Sequence, residues 1–228
     1  MVRALSASAS AGIGMTSART RARMVARLRT KGIADHRVLA ALGAVPRHLF
    51  VEEALASRAY EDDALPIGFG QTISHPFVVA RMIELVLGKN PGKALEVGTG
   101  CGYQAAVLAH VFPEVYSIER IKALLERARR NLIGLRLANL RLAHGDGYAG
   151  LEPAAPFHSI VVAAAAPRVP EALLQQLAPG GRMILPLSAP HGEKRTEQRL
   201  VLIERSGRGF IESELDPVRF VPMEAGKA

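Results

Sequence analysis

The chain has 228 residues, 49% of them apolar, with 29 basic against 21 acidic side chains and a single cysteine. That length suits one globular domain with a modest appendage, and one cysteine excludes an internal disulfide and a cysteine-based zinc site. The formal charge of +8 hints at a nucleic-acid partner, but the first 34 residues hold seven basic residues and no acid, and the rest holds 22 basic and 21 acidic ones. The body is therefore close to neutral, and no specific nucleic-acid partner is expected. No run of about 18 apolar residues occurs, so no membrane span is expected either. We expect a reducing, cytoplasmic setting, a monomer and no metal.

Residues 1–23 are read as a basic, disordered leader, with Met15 or Met24 as alternative starts; a transit peptide also fits their Arg- and Ser-rich, acid-poor composition. Ala18 to Arg29 could nonetheless form a basic helix. Asp35 is a good N-cap for a helix over His36 to Leu42, with Val38, Leu39 and Leu42 on its apolar face and Pro46 ending it. A further short helix leads to Tyr60. Ala64 to Pro76 carries two glycines and two prolines without helical periodicity, which predicts a loop or a ragged extended strand. Pro76 then opens a helix to about Leu87, with Val79, Met82, Ile83 and Val86 inward. Residues 24–92 thus form a helical cap with a loop, ahead of a core over residues 93–228.

The core is organised around Lys93 to Gln104. Ala94 to Val97 reads as a buried strand, a glycine-dense turn follows, and Tyr103 to Val111 reads as a helix. Gly98, Gly100 and Gly102 permit a sharp turn and a close ligand approach. Their G-x-G-x-G spacing differs from the G-x-G-x-x-G of a dinucleotide site. Glu96, two residues before the first glycine, would repel a phosphate and favour a cation, which suits the sulfonium and ammonium of S-adenosylmethionine. The next strand, Val115 to Glu119, ends in an acid near the spacing expected of a ribose ligand. A third strand, Leu140 to Ala143, runs into His144-Gly-Asp146-Gly147, where Asp146 can accept from an adenine amine. Cys101 lies near a helix N-terminus, where a thiol pKa tends to fall.

Alternation continues with a helix over Lys122 to Leu132, whose Arg127, Arg129 and Arg130 are expected to face solvent, and a fully buried strand over His158 to Ala163. A helix over Pro170 to Leu177 is stopped by Pro179-Gly180-Gly181. A strand over Arg182 to Leu187 follows, then antiparallel strands over Arg199 to Glu204 and Phe210 to Val221, with His191 to Gln198 as a solvated hairpin loop. The pattern predicts an α/β, doubly wound, mostly parallel sheet of the S-adenosylmethionine-dependent methyltransferase type, with an antiparallel finish.

Several segments together resemble the protein-L-isoaspartate O-methyltransferases. The most specific is Leu65-Pro-Ile-Gly-Phe-Gly-Gln-Thr-Ile-Ser-His-Pro76, similar to that family's substrate loop. Others are Leu95 to Gln104, Ser117-Ile-Glu-Arg120, His144 to Gly147, Ala178 to Pro186 and Val218 to Pro222, so the resemblance spans about residues 24 to 224. It implies Ser74 as the active-site serine. Thr72, Ile73, Ser74 and His75 would contact substrate, with Val221 bordering its cleft. Glu119, beside Arg120, is implied as ribose ligand, and Asp146 with Gly147 as adenine contact. The implied reaction is methylation of the α-carboxylate of isoaspartyl residues in peptides and unfolded proteins, initiating repair. The alternative is a methyltransferase with another acceptor, a small molecule or RNA. One departure is Ala163-Ala-Ala-Ala-Pro-Arg168, where the family often has a Thr-Ala-Ala-Pro-Pro type turn; it leaves only a backbone role at position 163.

Overall fold

The computed structural model describes residues 12–188 and 197–228. Residues 1–11 of the expected leader, and most of the expected loop at His191 to Gln198, lie outside that set. Helix α1 (Ala18–Thr30) is capped by the Ser17 hydroxyl, which accepts from Thr20 N, and buries Thr20, Met24 and Leu28 on one stripe. The boundary expected at residue 23 therefore falls inside a packed helix. Helix α2 (His36–Ala44) starts at Asp35, whose carboxylate accepts from Arg37 N and Val38 N. Two 3-10 turns follow, Arg47–Phe50 and Glu53–Arg58.

The segment expected as a loop or a ragged extended strand is a small antiparallel hairpin, β1 (Leu65–Gly68) with β2 (Gln71–Ile73). Its reversal needs positive φ at Gly68, Phe69 and Gly70, a tip that glycines make accessible. Helix α3 (Pro76–Val86) begins at the proline and buries Val79, Met82, Ile83 and Val86.

A seven-stranded sheet follows in the order β5-β4-β3-β6-β7-β8-β9. Its members are β3 (Lys93–Val97), β4 (Glu114–Glu119), β5 (Leu140–His144), β6 (Phe157–Val162), β7 (Leu177–Ser188), β8 (Gln198–Ser206) and β9 (Gly209–Val218). Strands β5, β4, β3, β6 and β7 are parallel, β8 pairs antiparallel with β7, and β9 pairs antiparallel with β8. Helices α4 (Tyr103–Val111), α5 (Lys122–Leu132) and α6 (Glu171–Gln176) make the crossovers. Helix α6 ends at Gln176, ahead of Pro179-Gly180-Gly181 as expected, but β7 begins at Leu177 rather than at Arg182 and carries those residues as a bulge, where Phe157 pairs Leu177 and Ser159 pairs Arg182. Arg127 is not simply solvent-facing. Its Nη1 donates to Ile67 O at 2.9 Å, tying α5 to the hairpin.

Cores lie on both sheet faces. Leu95 and Val97 join Phe157, Ile160 and Leu173 on one, and Ala94 joins Val107, Leu124 and the helical cap on the other. Strand alternation therefore turns Glu96 away from Leu95 and Val97, toward the cap side. Glu96 is 0% exposed, accepts from the Ser117 hydroxyl at Oε2 and has no partner at Oε1. This corrects its expected place facing a bound cation. Burial raises its carboxyl to about 8; the Ser117 hydroxyl opposes that shift and the nearby Glu119 adds to it. A carboxyl whose folded pKa exceeds its unfolded value of 4.5 binds a proton on folding. Its contribution to stability is full below that value and lost as pH rises toward 8. Denaturant titrations should thus show the wild type losing stability relative to Glu96→Gln, by up to roughly 1 kcal/mol per pH unit between about pH 5 and 8. A pH-independent difference would contradict a neutral Glu96.

Candidate active site

Strand order reverses at β3, so the crossovers leave β3 and β6 in opposite directions and open a crevice beyond their carboxyl ends. The glycine turn fills its floor. Gly98 adopts φ +97°, and a Cβ there would meet the Ala163 methyl at 3.4 Å; Gly98 N and Thr99 N both donate to Ile118 O. Glu119, at the tip of β4, braces the turn from the side: Oε2 accepts from Gly100 N at 2.8 Å and Oε1 from Ile121 N at 2.9 Å. Each oxygen keeps acceptor capacity toward the crevice.

The resulting cleft, about 860 Å³ counted out to open solvent, is lined by Gly98 to Cys101, Glu119 to Ile121, Gly147, Ala163 and Val221 to Glu224. Gln71 to Ser74 close it from the hairpin side. Gln104 also lines it, and neither end of its buried amide has a partner. A glycine floor and a two-oxygen acceptor at β4 suit a ligand with hydroxyl groups. A Cβ at Gly147 would lie 2.6 Å from Val97 Cγ1, so the wall at β5 is also as thin as backbone allows.

Of the residues singled out from sequence, Gly98, Gly100, Glu119, Arg120, Gly147, Thr72, Ile73, Ser74 and Val221 converge on this cleft. Arg120 is held by Glu224, Nη1 to Oε2 at 2.6 Å. Four do not line it, and of these His75 lies in the adjoining hollow. Glu96 is sealed in the core. Gly102 caps α4 from a left-handed conformation against Leu132. Asp146 spends its carboxylate on the backbone, Oδ1 accepting from Tyr148 N at 2.9 Å and Oδ2 from Gly226 N at 2.7 Å. Cys101 departs from the lowered pKa expected of it, since burial pushes the thiol up to about 11.

A second hollow adjoins the first and shares Thr72, Ser74, Ala163 and Val221 with it. Lys31, Asp63, His75, Phe77, Arg219 and Phe220 line its outer part. His75 Nδ1 lies 3.0 Å from Asp62 Oδ1, and Lys31 bonds the other oxygen of that carboxylate. Among the described residues the Ser74 hydroxyl has no hydrogen-bond partner, and its carbonyl accepts from Arg47. No base is therefore arranged to strip the Ser74 proton. The departure at position 163 is met by the backbone: Ala163 N donates to Val97 O, and Ala165 pairs with Val221 and Met223. That pairing seats Val221 against the cleft. Sequence reasoning missed Arg47, whose buried contact with the loop has no local signature.

The family model for protein-L-isoaspartate(D-aspartate) O-methyltransferase matches residues 19–228. A protein-L-isoaspartate O-methyltransferase of Dechloromonas aromatica (strain RCB) is 61% identical over 217 residues, covering 94% of this chain and 98% of that one. The Chromobacterium violaceum protein of the same description is 58% identical, covering 94% of each. A solved protein-L-isoaspartate O-methyltransferase superposes with a TM-score of 0.81 at 30% identity, covering 90% of this chain and 66% of that one. A Plasmodium falciparum structure, described as a beta-aspartate methyltransferase in complex with S-adenosyl-L-homocysteine, gives 0.74 at 27% identity, covering 90% and 98%. The family's cofactor is S-adenosylmethionine, and the donor set of the strand-tip cleft fits it. The chain belongs to the protein-L-isoaspartate O-methyltransferase family.

Proposed function

We propose that the chain transfers a methyl group from S-adenosylmethionine to the α-carboxylate of L-isoaspartyl residues in damaged peptides and unfolded proteins, initiating their repair. The observation that carries this reading is the continuity of the two hollows through Thr72, Ser74, Ala163 and Val221. A carboxylate entering from the outer hollow arrives beside the inner one, where the cofactor's sulfonium supplies an electrophilic methyl group. An ionised carboxylate is already a nucleophile, so the protein needs to orient it and keep water away rather than deprotonate it. Ser74 is the orienting donor, because its hydroxyl is unpartnered at the junction. Thr72 and Ile73 hold the loop edge as part of β2, Val221 forms the opposite lip, and His75, steadied by Asp62, stands on the outer rim.

On the cofactor side Glu119 accepts the ribose hydroxyls while it fixes the glycine turn, and the backbone of Gly98 and Gly100 lies beneath. Gly147 and Arg120 flank the adenine end. Asp146, whose oxygens each accept one backbone N–H, keeps acceptor capacity for the adenine amine as Glu119 does for the ribose. The enzyme works as a cytoplasmic monomer in this reading. No helix among the described residues is long and apolar enough to cross a membrane.

Steady-state methylation of an isoaspartyl peptide, with S-adenosylhomocysteine affinity measured by calorimetry, separates the two halves. Ser74→Ala should lower kcat/KM by about 10- to 100-fold and leave cofactor affinity within about threefold. Glu119→Ala should weaken cofactor affinity by at least about tenfold. Full activity in Ser74→Ala would overturn its orienting role, and unchanged affinity in Glu119→Ala would remove the ribose assignment.

A further inference from the structure

Arg47 opens the 3-10 turn Arg47–Phe50, is 0% exposed, and heads the fully enclosed side chains by volume. No carboxylate among the described residues pairs with it. Its Nε donates to Ala59 O at 2.9 Å, and its Nη2 to Ser74 O at 2.8 Å and Asp63 O at 3.4 Å. Nη1 has no partner, and the guanidinium carbon stands 4.8 Å from the centroid of the Tyr103 ring. A buried cation without a counter-ion is costly, and a guanidinium cannot escape the cost by losing its proton. A neutral side chain of similar size would fill the same space. Something other than packing retains the charge and the fork.

The three carbonyls locate that role. Asp63 precedes β1 and Ser74 follows β2, so one guanidinium stitches both stems of the hairpin at its base. The same group lies on the face of Tyr103, the first residue of α4 and part of the cofactor cleft. Phe50, three residues on, packs edge-on against that ring at 5.5 Å. We propose that Arg47 is a positioning residue for methyl transfer: it pins the Ser74 carbonyl to the head of the cofactor helix, and so fixes where the Ser74 hydroxyl presents the substrate carboxylate. A planar fork bonds carbonyls from separate segments in one fixed geometry while its face lies against a ring; an ammonium on a flexible stem is a point charge that does not impose that geometry. The inference rests on Ser74 being the orienting donor.

The test compares Arg47→Lys, Ser74→Ala and the double variant of the full chain in kcat and KM for an isoaspartyl peptide, in S-adenosylhomocysteine affinity and in thermal melting. Arg47→Lys should lower kcat/KM by about 30-fold, chiefly in kcat, with cofactor affinity within about threefold and a cooperative melt. In the Ser74→Ala background the same substitution should cost less than about threefold, because the hydroxyl it aims is gone. Arg47→Ala with millimolar methylguanidinium gives an independent reading, in which the rate should recover with added cation. Loss of cofactor affinity in parallel with activity, failure of Arg47→Lys to fold, or no methylguanidinium rescue would mark a purely structural Arg47 and overturn the proposal. So would near wild-type activity in Arg47→Lys while Ser74→Ala is impaired, which leaves the Ser74 reading standing. An unimpaired Ser74→Ala would instead bring down that reading first.

Discussion

The brace of Glu119 on the glycine turn is the interaction on which the rest of the site depends. A turn with positive φ at Gly98, Gly100 and Gly102 has little intrinsic preference for one shape. Glu119 removes that freedom by accepting from Gly100 N and Ile121 N at once, which also sets the start of α5. The turn in turn supports the hairpin, since a Cβ at Gly100 would meet Ile67 Cδ1 at 3.2 Å. Arg127 holds Ile67 from α5 on the other side. Cofactor floor and substrate loop are therefore parts of one braced assembly, and displacement of the first is felt by the second.

Charge is distributed unusually around this assembly. An acid, Glu96, is buried as the neutral form beneath the floor, while a cation, Arg47, is buried without a counter-ion beneath the loop. The proposed reaction joins a cation and an anion and leaves neither. Burial disfavours the charged form of Glu96, so a full negative charge beneath the cofactor floor is disfavoured. Arg47 adds a fixed positive charge on the loop side, where that carboxylate would sit. Neither group touches the cleft contents directly, and each acts through the backbone or hydroxyls in front of it.

Most of the fold was legible in the sequence because its signals are local. Lys122 to Leu132 carries an apolar stripe and Tyr103 to Val111 is buried almost all round, each bounded by glycine or strand ends, and both helices run to those bounds. Pro76 marks the start of α3 for the same reason. Non-local pairing defeated the rest. Pro179 to Gly181 does follow the end of α6, but β6 pairs on both sides of it, so β7 starts earlier, at Leu177, and absorbs it as a bulge. Asp146 is taken up by Gly226, eighty residues on. Glu96 could have been placed from strand parity, since it shares a face with Ala94 rather than with Leu95 and Val97. Arg47 could not, because its partners at 59, 63 and 74 meet only in the folded chain.

The central claim is that one continuous cleft brings the cofactor and an isoaspartyl carboxylate together. Methyl transfer from labelled S-adenosylmethionine to two peptides of one sequence, isoaspartyl in one and aspartyl in the other, tests it most directly. The account predicts base-labile label on the isoaspartyl peptide alone. Label on neither peptide, with S-adenosylhomocysteine still bound, would contradict it and assign the braced cleft to a different acceptor.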